Sequence, residues 1–153
     1  MKLYVIRHAK AGNREKWADE QDLRPLTKAG RRQATALVEP LSKLSITKIV
    51  SSPAVRCRQT VEPLGEHARL PVDLSDAIGE GAPLDETLAL VDKVAEETAL
   101  LCTHGDVVGN LLDHVVRHGV QIDQVHMEKA ATWIFDLHDG AAVSATYVPP
   151  PNA

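Results

Sequence analysis

Residues 2–8 read Lys-Leu-Tyr-Val-Ile-Arg-His and decide the fold of this chain. The apolar part, up to Ile6, has the composition of a buried parallel strand. An Arg-His pair directly after it contributes nothing to a core. In open α/β sheets, ligands bind at the carboxyl ends of the strands. The stretch therefore predicts a first strand and places Arg7 and His8 where such a fold keeps its chemistry.

Composition and charge are those of a globular chain. Its 153 residues, 44% of them hydrophobic and 25% charged, fit one domain with a sizeable core. We expect a single domain over residues 1–148 and an irregular tail over residues 149–153. The net charge of -4 and the pI near 5.9 argue against a broad surface for nucleic acid or membranes.

The chain also lacks the usual signs of export. No apolar run reaches the length of about 18 residues that would indicate a membrane span, and the amino terminus lacks the apolar core of a signal peptide. Cys57 and Cys102 have no metal-ligand spacing, so they are predicted to be reduced, structural thiols. These features predict a cytoplasmic protein, which we expect to be a monomer or a weak dimer.

Strand and helix patterns alternate along the rest of the chain. Thr27 is the predicted N-cap of a helix that extends to about Leu44 and is kinked or interrupted at Pro40. A strand at 46–50 leads to a helix with Ser52 as cap and Pro53 at its first position. The remaining predicted elements are a strand at 71–74, a helix at 84–97, a strand at 98–103, a helix at 107–118, and strands at 130–137 and 142–148 around the turn Asp139-Gly140. This order predicts a three-layer α/β/α sandwich with a mostly parallel sheet, ending in a hairpin.

Three polar motifs fall at carboxyl ends of predicted strands. Arg7-His8 follows the first strand, and His104-Gly105 follows the fourth. Ser51-Ser52-Pro53 follows the second, with Arg56 one turn into the next helix. Because parallel strands end at the same edge, these residues are expected to form one positive pocket. Arginine forks and helix N-termini are suited to binding a phosphoryl group.

These motifs resemble those of the histidine phosphatase superfamily. Its first motif, Arg-His-Gly, is matched by Arg7-His8-Ala9. Its second is matched closely by SSPAVRCRQT at 51–60, and its third by Thr103-His104-Gly105. The segment from 22 to 34, DLRPLTKAGRRQA, resembles the signature around the family's first helix. The resemblance implies a phosphoglycerate mutase-like fold.

The length resembles that of the small SixA-type branch rather than that of the phosphoglycerate mutases. The amino-acid sequences of the motifs are also similar to those in the phosphatase half of actinobacterial proteins that fuse a Nudix domain to this fold. Two positions depart from the family: Ala9 replaces the motif glycine, and Arg14 stands where larger members carry an asparagine. Only about 40 residues separate Arg58 from Thr98, so the long insertion that covers the site in larger members is absent. We therefore expect a shallow, open site.

The resemblance implies a phosphohistidine intermediate on His8. A neutral imidazole nitrogen is a good nucleophile, and a carbonyl that accepts from the other nitrogen fixes the tautomer. Arg7, Arg56 and His104 would bind the phosphoryl oxygens and offset their charge. These positive side chains would take the role of a metal, so neither a metal nor a cofactor is expected.

The leaving group needs a proton donor. In the family this is an acid shortly after the third strand, and Glu80 in Ile78-Gly79-Glu80 is the best match. Asp76 is the alternative. A phosphorylated histidine would need such a donor less, because its nitrogen is already a good leaving group.

The leading functional hypothesis is a metal-independent phosphatase. Its substrate is either a phosphohistidine on a protein, which an open site favours, or a nucleotide or other small phosphoester, which the similarity to Nudix-linked domains favours. A third possibility is a catalytically weak phosphate-binding module. The presence of both histidines and both arginines argues against it. Mutase activity is not expected, because little chain remains to enclose an intermediate.

Overall fold

A computed structural model describes residues 1–152 as a six-stranded sheet with helices on both faces. The strands, in chain order, are β1 Lys2–Arg7, β2 Lys48–Ser51, β3 Val72–Leu74, β4 Ala99–Thr103, β5 Thr132–His138 and β6 Ala141–Val148. The α-helices are α1 Lys28–Ala36, α2 Val38–Ser42, α3 Val55–Ala68, α4 Leu84–Lys93 and α5 Gly105–Arg117. Short 3₁₀ helices occupy Glu15–Trp17, Gln21–Leu23 and Asp76–Ile78.

The strand order across the sheet is β3-β2-β4-β1-β5-β6. Strands β3, β2, β4 and β1 are parallel to their neighbours, whereas β5 and β6 form an antiparallel hairpin beside β1. The predicted α/β sandwich with a mostly parallel sheet and a final hairpin is confirmed. Because β1, β2 and β4 run in the same direction, their carboxyl ends lie at one edge.

Alternation along β1 separates the two halves of the core. Tyr4 and Ile6 belong to the cluster that covers one face of the sheet together with α1, α2 and α3. Leu3 and Val5 belong to the cluster on the other face, with α4 and α5. Strand β4 is buried along its whole length, as a central strand covered by helices on both faces must be. The carboxyl ends of β1 and β4 thus belong to the most deeply buried part of the sheet.

The first predicted helix is divided, and the break precedes the proline. Helix α1 ends at Ala36, and α2 begins at Val38. Pro40 has no N–H to donate to the Ala36 carbonyl, and its ring would clash with that carbonyl in a continuous helix. The chain therefore bends at Leu37 and restarts, with Pro40 tolerated near the beginning of α2.

The carboxyl-terminal hairpin turns where the sequence predicted. Asp139 and Gly140 both have positive φ, 51° and 81°, as a two-residue hairpin turn requires. Residues 149–152 of the predicted tail carry no regular structure, and Ala153 lies outside the described residues. Among residues 1–152, no helix has both the length and the apolar character needed to cross a membrane.

Candidate functional site

The carboxyl ends of three adjacent strands bring the predicted residues together. The backbone N–H of His8, just after β1, donates to the carbonyl of Thr103 at the end of β4, at 3.0 Å. The N–H of Ser52, just after β2, donates to the carbonyl of Cys102 at 2.9 Å. Parallel pairing thus continues to the point where each motif begins, which fixes the motifs relative to one another.

His8 is buried as a neutral imidazole with a defined tautomer. Its side chain is 4% exposed, and its Nδ1 lies 2.8 Å from the carbonyl oxygen of Ala9. A carbonyl only accepts, so Nδ1 carries the hydrogen and Nε2 carries the lone pair. Burial lowers the pKa of His8 to about 3; the Ala9 hydrogen bond opposes this shift, and the charges of Arg56, His104 and Arg7 add to it. His8 therefore remains unprotonated at neutral pH, with a lone pair on Nε2.

Two hydrogen bonds and one close backbone approach hold the loop after His8. The N–H of Ala9 donates to Oγ1 of Thr60 at 2.9 Å, and the N–H of Lys10 donates to Oε1 of Gln33 at 3.0 Å. Thr60 comes from α3 and Gln33 from α1. A Cβ on Gly30 would lie 2.0 Å from the Lys10 carbonyl oxygen. Several residues of the quoted motifs thus position the loop rather than face a ligand.

Arg56 is a fully buried cation with one carboxylate partner. It is 0% exposed, and its Nη2 donates to Oε2 of Glu80 at 2.8 Å. Its Nη1 donates to the carbonyl of Gln21 at 2.7 Å. A buried charge is tolerated only when it is paired and hydrogen-bonded. Glu80 and Gln21 therefore hold the guanidinium in one orientation at the pocket.

His104 is oriented by Arg56 on one side and Ser52 on the other. Nη2 of Arg56 lies 3.1 Å from Nδ1 of His104, and arginine only donates, so Nδ1 accepts. In the neutral ring, Nε2–H then donates to Oγ of Ser52 at 2.8 Å. The His104 and His8 rings meet edge to face, with centroids 5.6 Å apart. The two predicted histidines therefore lie next to each other at this edge of the sheet.

The structure corrects the predicted start of the helix after β2. Helix α3 begins at Val55, with Ala54 at the N-cap position, rather than at Pro53. Ser52 was expected to cap this helix, but its hydroxyl is engaged with His104. It also accepts from the N–H of Ala54 at 3.3 Å. Ser52 thus positions the His104 ring. Helix α3 has no side-chain N-cap hydrogen bond.

Arg7 lies against the first residue of α5. Its Nη1 donates to the carbonyl of Met127, and its Nε is buried without an acceptor among residues 1–152. A Cβ on Gly105 would lie 3.1 Å from Cζ of Arg7, so a side chain there would press on the guanidinium. Burial lowers the pKa of Arg7, while Asp106 and Glu128 raise it. The glycine of the third motif is thus explained by the close approach of Arg7.

The two candidate proton donors differ in their contacts. Both Glu80 and Asp76 border a surface cleft of about 260 Å³ that also includes Ser52. Oε2 of Glu80 lies 2.8 Å from Nη2 of Arg56 and 3.6 Å from Nδ1 of His104. Asp76 lies in the first turn of a 3₁₀ helix, and its carboxylate makes no hydrogen bond to the four pocket residues in the part of the chain described. The geometry thus brings Glu80 to the pocket and leaves Asp76 at its border.

Three further cations lie near the pocket residues, and of these the sequence drew attention only to Arg14, which replaces the family's asparagine. Arg24 is 6% exposed, and burial followed by the charges of Arg56 and Arg14 lowers its pKa. Nη2 of Arg14 lies 3.7 Å from Oε2 of Glu80. Burial followed by the charge of Arg7 lowers the pKa of Lys129, and Arg24, Lys10 and Arg14 lower it further.

Arg24 also had a usable sequence signal, whereas Lys129 had none. Arg24 lies inside the segment that resembles the first-helix signature, so it could have been assigned to the site. Lys129 precedes β5, which runs antiparallel to β1. Its position at the pocket depends on that reversal, which the local pattern does not reveal.

The other polar groups near the pocket do not extend it into a metal centre. In the described residues, no cluster of three or more His, Cys, Asp or Glu side chains is arranged to hold a metal ion. Cys57 and Cys102 are free and buried, and Sγ of Cys57 lies 3.6 Å from Nε2 of His104. Both thiols belong to the core cluster beneath α1–α3.

Comparison with known proteins assigns this architecture to a family. The model of the histidine phosphatase superfamily (branch 1) matches residues 3–83. The 8-oxo-(d)GTP phosphatase of Mycolicibacterium smegmatis is 33% identical over 163 residues, covering 98% of this chain and 48% of that protein. The fructose-2,6-bisphosphatase TIGAR of Bos taurus is 29% identical over 130 residues, covering 76% of this chain and 47% of that protein. The chain thus spans about half the length of these curated relatives.

Solved structures share the fold over nearly the whole chain. The protein histidine phosphatase SixA complexed with tungstate matches with a TM-score of 0.78 at 21% identity, covering 99% of this chain and 96% of that one. A putative SixA from Nakamurella multipartitia matches with a TM-score of 0.74 at 24% identity, covering 97% and 95%. Together with the family model and the mycobacterial relative, these findings show that the chain belongs to the histidine phosphatase superfamily.

Proposed function

We propose that this chain is a metal-independent phosphatase that transfers a phosphoryl group first to His8 and then to water. The observation that carries the proposal is the state of His8, which is buried, neutral and hydrogen-bonded through Nδ1 to a carbonyl. This leaves the lone pair on Nε2 available for attack. A covalent phosphohistidine divides one difficult displacement into two easier steps.

In this proposal the cations around His8 bind the phosphoryl oxygens. Arg7, Arg56 and His104 lie at the same sheet edge, so their donors are in place before the charge on the oxygens grows. The Arg56 guanidinium is fixed by its bonds to Glu80 and Gln21, which limits the reorganisation needed on binding. Glu80 is the proposed proton donor to the leaving group. Its contacts with Arg56 and His104 support that role over Asp76.

The first candidate substrate is a phosphohistidine on a partner protein. The segment between α3 and β4 holds only β3, a 3₁₀ helix and α4, so no long insertion is available to cover the pocket. The side chain of Glu80 is 41% exposed. An open pocket of this kind is accessible to a bulky phosphoprotein, which the shared fold of the SixA proteins also supports.

The second candidate is a nucleotide or another small phosphoester. The relative with 33% identity over 98% of this chain is named an 8-oxo-(d)GTP phosphatase. The additional cations Arg14, Arg24 and Lys129 near the pocket favour a substrate with more than one anionic group. For either substrate we propose that residues 1–148 act as one domain, in the cytoplasm, as a monomer or weak dimer.

The test is loss of turnover when His8 is replaced. We expect His8→Ala to lower the hydrolysis of p-nitrophenyl phosphate by at least about a thousandfold, while its circular dichroism spectrum stays that of the wild type. EDTA should leave wild-type activity intact. Rapid acid-free quenching during turnover should trap an alkali-stable phosphohistidine in the wild type.

The control is His118→Ala, which removes a histidine at the far end of α5. It should retain wild-type turnover and wild-type trapping. Full activity in His8→Ala, or a trapped phosphoryl group on another residue, would refute the proposed mechanism.

A further inference from the structure

Positive charge around the pocket exceeds what one phosphoryl group requires. Besides Arg7 and Arg56, four cations surround the site. We refer to them together as the cationic rim: Lys10, Arg14, Arg24 and Lys129. Among the described residues, Glu80 is the one carboxylate within 4 Å of any of these six cations. The whole chain carries a net charge of -4, so this concentration of positive charge is local and not a property of the whole surface.

Arg24 is the buried member of the rim. Its side chain is 6% exposed, with Nη1 donating to the carbonyl of Gly12 at 3.0 Å and Nε buried without a partner among residues 1–152. The charges of Arg56 and Arg14 both act on it. A buried guanidinium next to two other cations is costly unless an anion compensates for it. The charge of Glu80 raises the pKa of Arg24 and offsets part of this cost, but Nε of Arg24 still lacks a partner among residues 1–152.

Lys129 brings the rim to the other side of His8. The next residue, Ala130, donates its N–H to the carbonyls of Arg7 and His8, at 3.0 and 3.2 Å. This holds the backbone of Lys129 next to the proposed nucleophile. The charges of Arg7, Arg24, Lys10 and Arg14 act on its ammonium, together with burial. Lys10 follows His8 by two residues, and its N–H donates to Oε1 of Gln33 at 3.0 Å, so the backbone of both lysines is held beside His8.

We propose that Lys10, Arg14, Arg24 and Lys129 form a second anion subsite, which binds a phosphate joined to the transferred phosphoryl group through one bridging oxygen. The inference rests on the proposed phosphatase chemistry and selects among its substrates: the preferred substrate is a diphosphate ester rather than a monoester or a lone phosphohistidine. A phosphohistidine offers one phosphoryl group, which Arg7, Arg56 and His104 already accommodate. A diphosphate places a second charged group within reach of the rim.

The reaction that follows from this placement is balanced without any additional reagent. The lone pair of His8 Nε2 attacks the terminal phosphorus, and the bond from that phosphorus to the bridging oxygen breaks. The bridging oxygen leaves with the inner phosphate, taking its electron pair and any proton that Glu80 supplies. Water then hydrolyses the phosphohistidine and restores His8. The net change converts a diphosphate ester and water into a monophosphate ester and inorganic phosphate.

A binding experiment tests the subsite independently of catalysis. Full-length His8→Ala is titrated with inorganic phosphate and with pyrophosphate by calorimetry. We expect pyrophosphate to bind at least about tenfold more tightly, since the added phosphate would meet buried Arg24 together with the exposed cations of the rim. Adding Lys10→Gln and Lys129→Gln to that background should reduce the preference to about twofold. Lys93→Gln, an exposed lysine at the end of α4, is the matched control and should leave the preference unchanged.

A turnover experiment then tests the substrate class. For the wild type, kcat/KM for a nucleoside diphosphate should exceed that for the matched monophosphate by about tenfold or more. A sugar bisphosphate with separated phosphates and a phosphohistidine protein complete the panel, and both should rank below the diphosphate. The Lys10→Gln/Lys129→Gln variant should lower kcat/KM for the diphosphate about tenfold more than for p-nitrophenyl phosphate.

The two proposals fail in different ways. Equal binding of phosphate and pyrophosphate, or a preference that survives the double lysine change, overturns the second subsite. The second subsite is also overturned if the enzyme hydrolyses a phosphohistidine protein faster than the diphosphate. If His8→Ala still hydrolyses p-nitrophenyl phosphate, the phosphohistidine mechanism fails, while the calorimetric comparison continues to decide the subsite.

Discussion

The carboxylate of Glu80 is paired with the most deeply buried cation of the pocket, Arg56. Oε2 of Glu80 lies 2.8 Å from Nη2 of Arg56, yet the Glu80 side chain is 41% exposed while that of Arg56 is 0% exposed. One end of the pair is therefore fixed in the protein, and the other faces the open side of the pocket. This position agrees with the donor role that we propose for Glu80, because the carboxyl group is both anchored and accessible to a substrate.

Glu80→Gln tests this arrangement, because it keeps an oxygen for Arg56 but removes the acidic proton. We expect kcat for an alkyl phosphomonoester to fall by about a hundredfold. The fall for p-nitrophenyl phosphate should be much smaller, because its phenolate leaves without assistance. Steady-state kinetics on both substrates measure the difference. Asp76→Asn is the comparison: if it causes the selective loss and Glu80→Gln does not, the donor is Asp76.

Gly105→Ala should impair the site more than the fold. The new Cβ would lie 3.1 Å from Cζ of Arg7, so the guanidinium must move by a few tenths of an ångström. We expect kcat/KM to fall by about tenfold, since a displaced donor stabilises the transition state less. The matched change is Gly109→Ala in the same helix, where the nearest atom is the flexible Sδ of Met127 at 3.4 Å.

For Gly109→Ala we expect the free energy of unfolding to rise by about 0.5 to 1 kcal/mol through helix propensity, with activity retained. Urea unfolding and kinetics on both variants separate the two effects. Equal kinetic losses in the two variants would show that the approach of Gly105 to Arg7 has no special importance.

Burial of neutral His8 predicts a loss of stability in mild acid. The pKa of His8 is lowered from 6.5 to about 3 by burial and by the cations near it. Below about pH 6.5 the unfolded chain takes up a proton at His8 that the folded chain does not, so the free energy of unfolding falls as the pH falls towards 3. The slope from this group is at most about 1.4 kcal/mol per pH unit.

Urea unfolding of the wild type and of His8→Asn between pH 4 and 7 measures this contribution. The wild type should lose stability relative to the variant as the pH falls through this range. Parallel stability curves would show that His8 titrates alike in the folded and unfolded chains.

Gly30→Ala should be strongly destabilising, because the new Cβ would lie 2.0 Å from the carbonyl oxygen of Lys10. Backbone cannot yield as a side chain can, so we expect a loss of about 3 kcal/mol. Gly12→Ala, in the loop that contains Lys10, is the control. Its Cβ would be 3.6 Å from the Pro25 carbonyl oxygen, and the change should stay within about 0.5 kcal/mol. Similar Tm values for the two variants would contradict this explanation of Gly30.

The sequence predicted the site where chemistry and strand periodicity coincide. Arg7, His8 and His104 follow apolar strands directly, and parallel pairing brings them to the same edge. A charged residue at the end of a buried strand costs free energy unless it is paired or binds a ligand. Such a residue therefore indicates a candidate site. The fold class followed from the same alternation of strands and helices, which short-range hydrophobic patterns encode.

What the sequence did not reveal depends on contacts between distant segments. Ser52 has the composition of a helix cap, but the partner that takes its hydroxyl, His104, is 52 positions away. Lys129 enters the site because β5 is antiparallel to β1. The break at Leu37 could have been inferred from Pro40, had the carbonyl four residues before the proline been considered. The positions of Ser52 and Lys129 depend on long-range contacts, which local propensity does not encode.

The tautomer of His8 is set by the carbonyl of its own neighbour, Ala9, and this has a consequence for how the site tolerates mutation. Every residue type supplies the same main-chain oxygen, so no codon change at position 9 deletes the acceptor. Scanning mutagenesis would therefore record the position as permissive wherever the replacement fits the buried space. Only an atomic edit of the polypeptide, such as an ester in place of the amide between Ala9 and Lys10, weakens that oxygen. The acceptor that fixes the His8 tautomer thus belongs to the main chain, and amino-acid substitutions at position 9 do not remove it.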